Sequence, residues 1–367
     1  MKKIVICGGH FTPALALIEE LEKDKDIKIV FFGRKYSTED TKNVSVEYTQ
    51  IQNKKIKFKR IITGRLQRKF TRYTIPSLLK IPLGFVQSFL YLLLERPSIV
   101  ISFGGYLSTP PVVAAWLIGI PTVTHEQSTK PGLATKINAI FTRTVFLSWQ
   151  ETLKYFGQNA KVIGNPLRSV VFKKTAEDKK ISAFIKNSKN LIYITGGNLG
   201  SHYINKVVFS SKNLLKNYSV IHQVGSLNHR DDWQNSQKIK SPNYLPVNFV
   251  TGKNIGMVLN SADIIIARSG ANTVYEAAAL AKAAVFVPIP NSSSNEQFEN
   301  AKILKDNGSA QIIEQKDFTE EKLLEVLSSM FANFKMYQTK AQHFSKQIKK
   351  DAAAVLRNEI LKIINEN

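Results

Sequence analysis

A single cysteine, Cys7, stands among 367 residues, which excludes an internal disulfide and a thiolate metal cluster and suits a reducing compartment. Acidic residues are scarce, 28 Asp plus Glu against 51 Lys plus Arg, and the formal net charge is +23. Metal-ligand spacing is missing too: the six histidines include no His-x-x-x-His, and no Cys-x-x-Cys occurs, so neither a metal nor another cofactor is expected. Without a Walker lysine motif or a Gly-x-Ser-x-Gly elbow, kinase and serine hydrolase chemistry are poor readings. The longest nearly apolar stretch, Ile81 to Leu94, has 14 residues. A membrane-spanning helix needs about 18 or more, so none is predicted. The N-terminal MKKIVICGGH is too short in its apolar run for a secretory signal, and a cytoplasmic location is expected.

What is present reads as globular: 43% of residues are hydrophobic and 10% aromatic. The length suggests two domains, each with its own core. A charge of +23 implies a polyanionic partner: nucleic acid, an anionic membrane face or phosphorylated substrates. From Tyr48 to Leu94 there is no acidic residue, while Lys54, Lys55, Lys57, Lys59, Arg60, Arg65, Arg68, Lys69, Arg72 and Lys80 crowd the same window. These cations give way to IPLGFVQSFLYLLL. A basic segment leading into an apolar helix fits a protein resting on an anionic membrane surface, and equally a solvated basic face followed by a core helix. No RNP, helix-turn-helix or zinc-finger pattern accompanies the charge, so nucleic acid is not the expected partner.

Short β-branched runs at 3–7, 27–32, 98–102 and 121–125, then at 190–195, 219–224, 263–268 and 283–288, alternate with segments of helical spacing. Alternating strand and helix gives an α/β fold of parallel sheets covered on both faces. Each half opens alike, with a strand, a glycine turn and a helix. Two doubly wound Rossmann-like domains in tandem are expected, 1–165 and 166–340, with the boundary near Gly164-Asn165-Pro166. A lysine-rich helical tail, 341–367, would close the chain and pack back on the first domain. Ligands of such domains bind at strand carboxyl ends, which places the expected site in a central cleft between the halves.

Five segments sit at those ends. Gly8-Gly9-His10 follows the first strand, and a histidine there would face the cleft as a proton acceptor. Gly104-Gly105-Tyr106 ends the 98–102 strand similarly. His125-Glu126-Gln127 places a carboxylate and an amide at the same rim, where Glu126 would serve as acid/base, as a hydroxyl acceptor, or as a cap for a helix beginning near Pro131. Arg268 to Thr273 joins a strand to a helix through small residues whose N–H groups would take a phosphate. Glu276 would accept both hydroxyls of a ribose, although Thr273 and Glu276 also have capping-box spacing. Gln297 and Asn300, three apart at a helix start, would bind sugar hydroxyls. Asp24-Lys25-Asp26 matches an Asp-x-Asp pattern but lies at the end of the first helix, away from the strand carboxyl ends, and reads as a solvated turn.

Taken in order, GGHFTPALAL, SFGGYLSTPPVVAAWLIGIPTVTHEQ, VIGNPLR, ITGGNLGS, HQVG, RSGANTVYEAAAL and VPIPNSSSNEQFENA resemble the MurG family across nearly the whole chain. That family transfers N-acetylglucosamine to undecaprenyl-pyrophosphoryl-muramyl-pentapeptide, lipid I, in peptidoglycan synthesis. The resemblance implies two domains of the GT-B type, UDP-N-acetylglucosamine on the second and the acceptor on the first. It also implies a peripheral enzyme at the cytoplasmic face of the cell membrane, docked through the basic stretch and its apolar helix. On that pattern Glu276 holds the ribose, Asn198 and the N–H groups of Gly197 to Gly200 and of Ser269, Gly270 and Ala271 face the pyrophosphate, and Thr273 adjoins them. Arg168 lies near the nucleotide, the backbone at Val250 reads uracil, and Gln297 and Asn300 meet the hexosamine. The acceptor falls to Gly8, Gly9, His10, Gly104, Gly105, Tyr106, Glu126, Gln127 and Ser128, with His10 and Glu126 the candidate bases.

The family's first loop is the longer Gly-Gly-Thr-Gly-Gly-His, whereas Cys7 here leads straight into Gly8-Gly9-His10. Ser128, Asn198 and Glu296 also stand where Asn, Ser, and Gln or His are usual. The expected reaction is inverting attack of the acceptor's C4 hydroxyl on C1 of the donor sugar. Competing readings are a diacylglycerol-type lipid glycosyltransferase, a catalytically impaired UDP-sugar-binding protein and a nucleic-acid binder.

Overall fold

The computed structural model describes residues 1–36, 44–64, 74–225, 231–250, 252–290, 292 and 295–366. Arg65, Arg68, Lys69 and Arg72 of the basic window, and parts of the PNSSSN loop, lie outside them. Two compact units emerge, one formed by Met1–Arg168 with Lys350–Asn367 and the other by Ser169–Lys349.

In the first unit the strands are β1 (Lys2–Cys7), β2 (Ile27–Gly33), β3 (Lys57–Arg60), β4 (Ile99–Ser102), β5 (Thr122–Glu126), β6 (Thr144–Leu147) and β7 (Ala160–Val162). The helices between them are α1 (Phe11–Leu21), α2 (Val46–Asn53), α3 (Thr74–Glu95), α4 (Thr109–Leu117) and α5 (Leu133–Phe141). All pairings are parallel, in the order β3-β2-β1-β4-β5-β6-β7. The order reverses direction between β1 and β4, and such a switch point opens a crevice at the strand carboxyl ends. Central strands such as β4, IVIS, are buried on both faces, as a sheet covered on both sides requires.

The second unit repeats the plan with β8 (Leu191–Thr195), β9 (Ser219–Gln223), β10 (Tyr244–Val247), β11 (Ile264–Ala267), β12 (Ala283–Phe286) and β13 (Ala310–Ile312). Its helices are α6 (Lys179–Asn187), α7 (His202–Ser210), α8 (Lys212–Asn217), α9 (Asp232–Lys238), α10 (Ile255–Ser261), α11 (Ala271–Ala279), α12 (Glu296–Asp306), α13 (Glu320–Ala332) and α14 (Phe334–Ser345). Strand order is β10-β9-β8-β11-β12-β13, again all parallel, with the switch between β8 and β11. The last helix, α15 (Ala352–Asn365), returns to the first unit, where Leu356, Ile360 and Ile363 join Leu17, Ile18 and Leu21 of α1 in one core.

Two expectations change. The described part of the basic window is partly paired: Lys57 and Lys59 lie on the edge strand β3 and pair with Glu95 at 2.6 and 3.7 Å, while Lys54 pairs with Glu22. Lysines on an edge strand also discourage pairing with another chain. The apolar run is longer than the sequence count, because the helix continues through Lys80. Ser77–Glu95 has 19 residues and a mean hydropathy of 1.6, long and apolar enough to cross a membrane by length and composition. It is nevertheless the crossover between β3 and β4 and packs beside α4, with Gly84, Ser88, Leu92 and Glu95 buried. Its outer face carries Ile75, Leu78, Leu79, Leu83, Val86, Leu90, Leu93 and Leu94, an exposed apolar stripe at helical spacing.

Candidate functional site

At the β1/β4 switch of the first unit two glycine turns interlock. Gly9 N–H donates to the Gly104 carbonyl at 2.9 Å and Phe103 N–H to the Cys7 carbonyl at 2.8 Å. Gly8 sits at φ +136°, and a Cβ there would meet the Gly104 oxygen at 2.8 Å. Only glycine tolerates both the conformation and the approach. Beneath the second turn lies a buried polar network. Asn138 of α5 donates to the Ser102 and Ser108 hydroxyls at 3.0 and 2.9 Å, and Ser102 in turn accepts from Gly104 N–H at 3.1 Å.

His10 precedes α1, exposed, with Nδ1 2.8 Å from the Phe103 carbonyl. A carbonyl only accepts, so Nδ1 is the donor, and in the neutral ring Nε2 is the nitrogen with the lone pair. No partner for Nε2 occurs among the described residues. Glu126 is the opposite case. It is buried, and its carboxylate accepts from Gln127 and Ser128 N–H at 3.0 Å each and from Gly132 N–H at 3.1 Å. Its side chain shapes the loop leading into α5, whose N-cap is Gly132. His125 beside it donates from Nε2 to the Gly164 carbonyl at 2.9 Å. Burial pulls its pKa down to about 4, so the ring is neutral at neutral pH.

In the second unit the β8/β11 switch brings together two helix N-termini. Gly197 and Gly200 both adopt φ +85° before α7, and a Cβ on Gly200 would lie 2.1 Å from the Val224 carbonyl. Helix α11 begins at Ala271 behind Gly270 with no side-chain cap. Thr273 is therefore inside the first turn, and the capping-box explanation of Glu276 fails. Glu276 stands half-buried in α11, near enough for its charge to add to the burial that raises the Tyr193 pKa. The Ser269 hydroxyl is fully buried and has no partner among the described residues. Ser201 caps α7, accepting from Ile204 N–H, whereas the uncapped N-terminus of α11 forms a natural anion site.

Two residues that the motif reading left without a role hold this arrangement. Gln223 at the end of β9 makes four buried hydrogen bonds: Oε1 accepts from Val250 N–H at 2.9 Å and the Tyr193 hydroxyl at 3.1 Å, and Nε2 donates to Thr195 Oγ1 and the Gly197 carbonyl at 3.1 Å each. Arg268 ties the same loops. Its Nε donates to Ser201 Oγ at 3.1 Å, Nη1 to the Val287 carbonyl at 2.9 Å and Nη2 to Gln315 at 2.7 Å. Burial lowers its pKa to about 10, and it keeps its charge at neutral pH. Signals for both existed in the sequence, as polar residues ending apolar strands beside glycines. Asn138, alone on an amphipathic helix, had none.

Asn300 of α12 is buried and reaches the Ser269 carbonyl at 3.4 Å, next to the anion site. Gln297 braces its own loop, accepting from Ile289 N–H at 3.0 Å. Asn198 is exposed at the tip of the first glycine loop. Arg168 lies in the first unit within electrostatic reach of Glu19. Tyr106 belongs to a pocket described below. No cluster of three metal-ligating side chains occurs among the described residues.

Comparison with known proteins gives these loops a family. The glycosyltransferase family 28 N-terminal domain matches residues 7–147 and the family 28 C-terminal domain residues 191–356. A UDP-N-acetylglucosamine--N-acetylmuramyl-(pentapeptide) pyrophosphoryl-undecaprenol N-acetylglucosamine transferase of Treponema denticola is 34% identical over 339 residues, 88% of this chain and 85% of that protein. The protein of the same name from Borrelia hermsii is 30% identical over 358 residues, 97% of this chain and 94% of its own. Among solved structures, Acinetobacter baumannii MurG superposes with a TM-score of 0.69 at 22% identity, covering 99% of this chain and 100% of that one, a likeness of fold. Both units are thus the parallel-sheet domains of a GT-B glycosyltransferase, and the chain belongs to the MurG family of N-acetylglucosamine transferases.

Proposed function

We infer that the protein transfers N-acetylglucosamine from UDP-N-acetylglucosamine to lipid-linked muramyl-pentapeptide, the step from lipid I to lipid II in peptidoglycan synthesis. The observation that carries this reading is the anion site at the β8/β11 switch, built on the uncapped N-terminus of α11 beside the 197–200 glycine loop on a chain of this family. The donor pyrophosphate rests on the N–H groups of the 269–271 loop, with the Arg268 charge behind them; in the neighbouring 197–200 loop the Gly197 and Gly200 N–H groups are taken by Thr195 Oγ1 and the Gly197 carbonyl. Negative charge grows there as UDP leaves, and preorganised donors stabilise it. Glu276 accepts the ribose hydroxyls and Asn300 places the sugar. The Val250 N–H is taken by Gln223, so reading of uracil falls to the Val250 carbonyl.

On the acceptor side, His10 is the base that removes the proton from the C4 hydroxyl as it attacks C1 with inversion. Its Nδ1–H bond to Phe103 aims the bare Nε2 outward, whereas all three bonds of Glu126 face its own loop. Glu126 is then a positioning residue. Peripheral attachment to the cytoplasmic face of the membrane is supported by the exposed apolar stripe of α3, continued by Trp116 and Leu117 on α4 and Ile140 on α5. Binding of UDP by the wild type and by Glu276→Ala tests the donor assignment: an unchanged affinity removes Glu276 from it.

A further inference from the structure

The interlocked turns at the β1/β4 switch are poorly equipped to hold a diphosphate. Gly9 and Gly104 N–H groups are spent on the Gly104 carbonyl and the Ser102 hydroxyl, and the first turn is short. Yet a lipid-linked acceptor brings a diphosphate between its sugar and its tail. One further feature of the same strand edge answers that need.

A pocket of about 290 Å³ opens in the first unit beside Tyr106 and Leu107. Its cations are Arg34 and Lys35 after β2, Arg60 at the end of β3 and Lys80 of α3; among the described residues no acidic side chain lines it. Arg34 is paired with Glu47 at 2.8 Å, which fixes one wall. Arg60 lies 5.3 Å over the Tyr36 ring, and Lys35 lies over Tyr36 and Tyr48 at 5.7 and 5.4 Å. Rings orient these cations without neutralising them. Thr63 lines the pocket too; it is 4% exposed and its hydroxyl has no partner among the described residues. Several cations and a buried hydroxyl without a partner among the described residues make a site for a phosphate ester.

Its position suits the acceptor. The strands run parallel in the order β3-β2-β1-β4, so Arg60, Arg34, His10 and Tyr106 follow the carboxyl ends of neighbouring strands. Adjacent strands lie about 4.8 Å apart, so about 10 Å separates the ends of β1 and β3, comparable with a hexose plus its diphosphate. The pocket is also fastened to the apolar helix. Ile62 N–H donates to Gln87 of α3 at 2.8 Å, and a Cβ on Gly84 would lie 2.5 Å from Thr63 Cβ. A tail lying along the exposed stripe of α3 would therefore lead its diphosphate to this wall.

We propose that the Arg60–Lys35–Thr63 pocket binds the diphosphate of the polyprenyl-linked acceptor and sets its sugar at His10; this rests on the transferase reading above. The test is steady-state kinetics of the full chain with a short-chain lipid-linked muramyl-pentapeptide, comparing wild type with Arg60→Gln, Arg60→Lys and Thr63→Val, each checked for fold by circular dichroism. Loss of one charge-assisted contact raises the acceptor KM about tenfold in Arg60→Gln. Arg60→Lys recovers part of it, and the KM for UDP-N-acetylglucosamine is unmoved. Inorganic pyrophosphate competes with acceptor in the wild type and weakly in Arg60→Gln. An unchanged acceptor KM in both Arg60→Gln and Thr63→Val overturns the proposal. Sedimentation with phosphatidylglycerol vesicles separates the other source of phosphate. Vesicle binding that survives Arg60→Gln supports the acceptor assignment, while vesicle binding lost with acceptor KM unchanged gives the pocket to a phospholipid headgroup and overturns it. If the wild type transfers nothing, the transferase reading falls, and calorimetry of pyrophosphate with wild type and Arg60→Gln decides the pocket alone: equal binding, or none, removes the anion site.

Discussion

Replacing Gln223 with Leu keeps its volume nearly constant and removes four hydrogen bonds at once. Val250 N–H and the Tyr193 hydroxyl, on residues 3% exposed, then lose the acceptor they share. Thr195 Oγ1 keeps the Gly197 N–H as a donor at 3.0 Å, so it is not stranded. Each buried donor left unpaired costs about 1–3 kcal/mol, which puts the loss of stability at about 2–6 kcal/mol. Against a total of about 5–15 kcal/mol that is a large fraction. Gln223→Glu separates the two halves of the role: it keeps the acceptor oxygens for Val250 and Tyr193 but sets a carboxylate 3.1 Å from the Gly197 carbonyl. Urea unfolding followed by circular dichroism measures stability, and calorimetry with UDP measures the site. Both variants should bind UDP more weakly, because the base-reading backbone and the pyrophosphate loop are no longer held at a fixed spacing. A Gln223→Leu protein destabilised by under about 1 kcal/mol, the worth of one ordinary hydrogen bond, with full UDP affinity would refute the reasoning.

Four other outcomes follow from the same geometry. His10→Ala should lower transfer about 10²–10⁴-fold while UDP affinity stays intact, as read by radiolabel transfer and calorimetry. Gly8→Ala should abolish acceptor turnover, since its Cβ would sit 2.8 Å from the Gly104 oxygen at a φ of +136°; activity near wild type would contradict the close approach. Stability should fall as pH drops from 6.5 to about 4, because buried His125 takes its proton less readily folded than unfolded. That window represents about 3 kcal/mol, present above it and lost below, and His125→Gln should flatten the profile in urea titrations at pH 7 and pH 5. Leu79→Glu with Val86→Glu, both on the exposed face of α3, should leave thermal unfolding unchanged and abolish vesicle sedimentation.

The eight strands visible as β-branched runs are all present, because strands buried on both faces must be apolar along their length. Four of the five that escaped notice, β3, β7, β10 and β13, are the edges of the two sheets. Edge strands are half-solvated: β3 is KFKR, and β10 carries Pro246, which an interior strand would not tolerate. Glycine turns were legible for the same reason in reverse, since chemistry at a strand end leaves a composition mark. The consumption of polar groups by backbone was not legible. Glu126 and His10 look equally capable in sequence, and only the three N–H bonds on one and the single bond on the other tell them apart. Glu276 shows the converse, its capping spacing being void because α11 starts at Ala271.

The most direct test of the account is transfer of labelled N-acetylglucosamine from its UDP donor to short-chain lipid-linked muramyl-pentapeptide by the full chain, without added metal and again with chelator. Equal transfer in both is the predicted result, with pyrophosphate charge carried by the α11 N-terminus and Arg268. UDP-sugar binding with no transfer to this acceptor would contradict it.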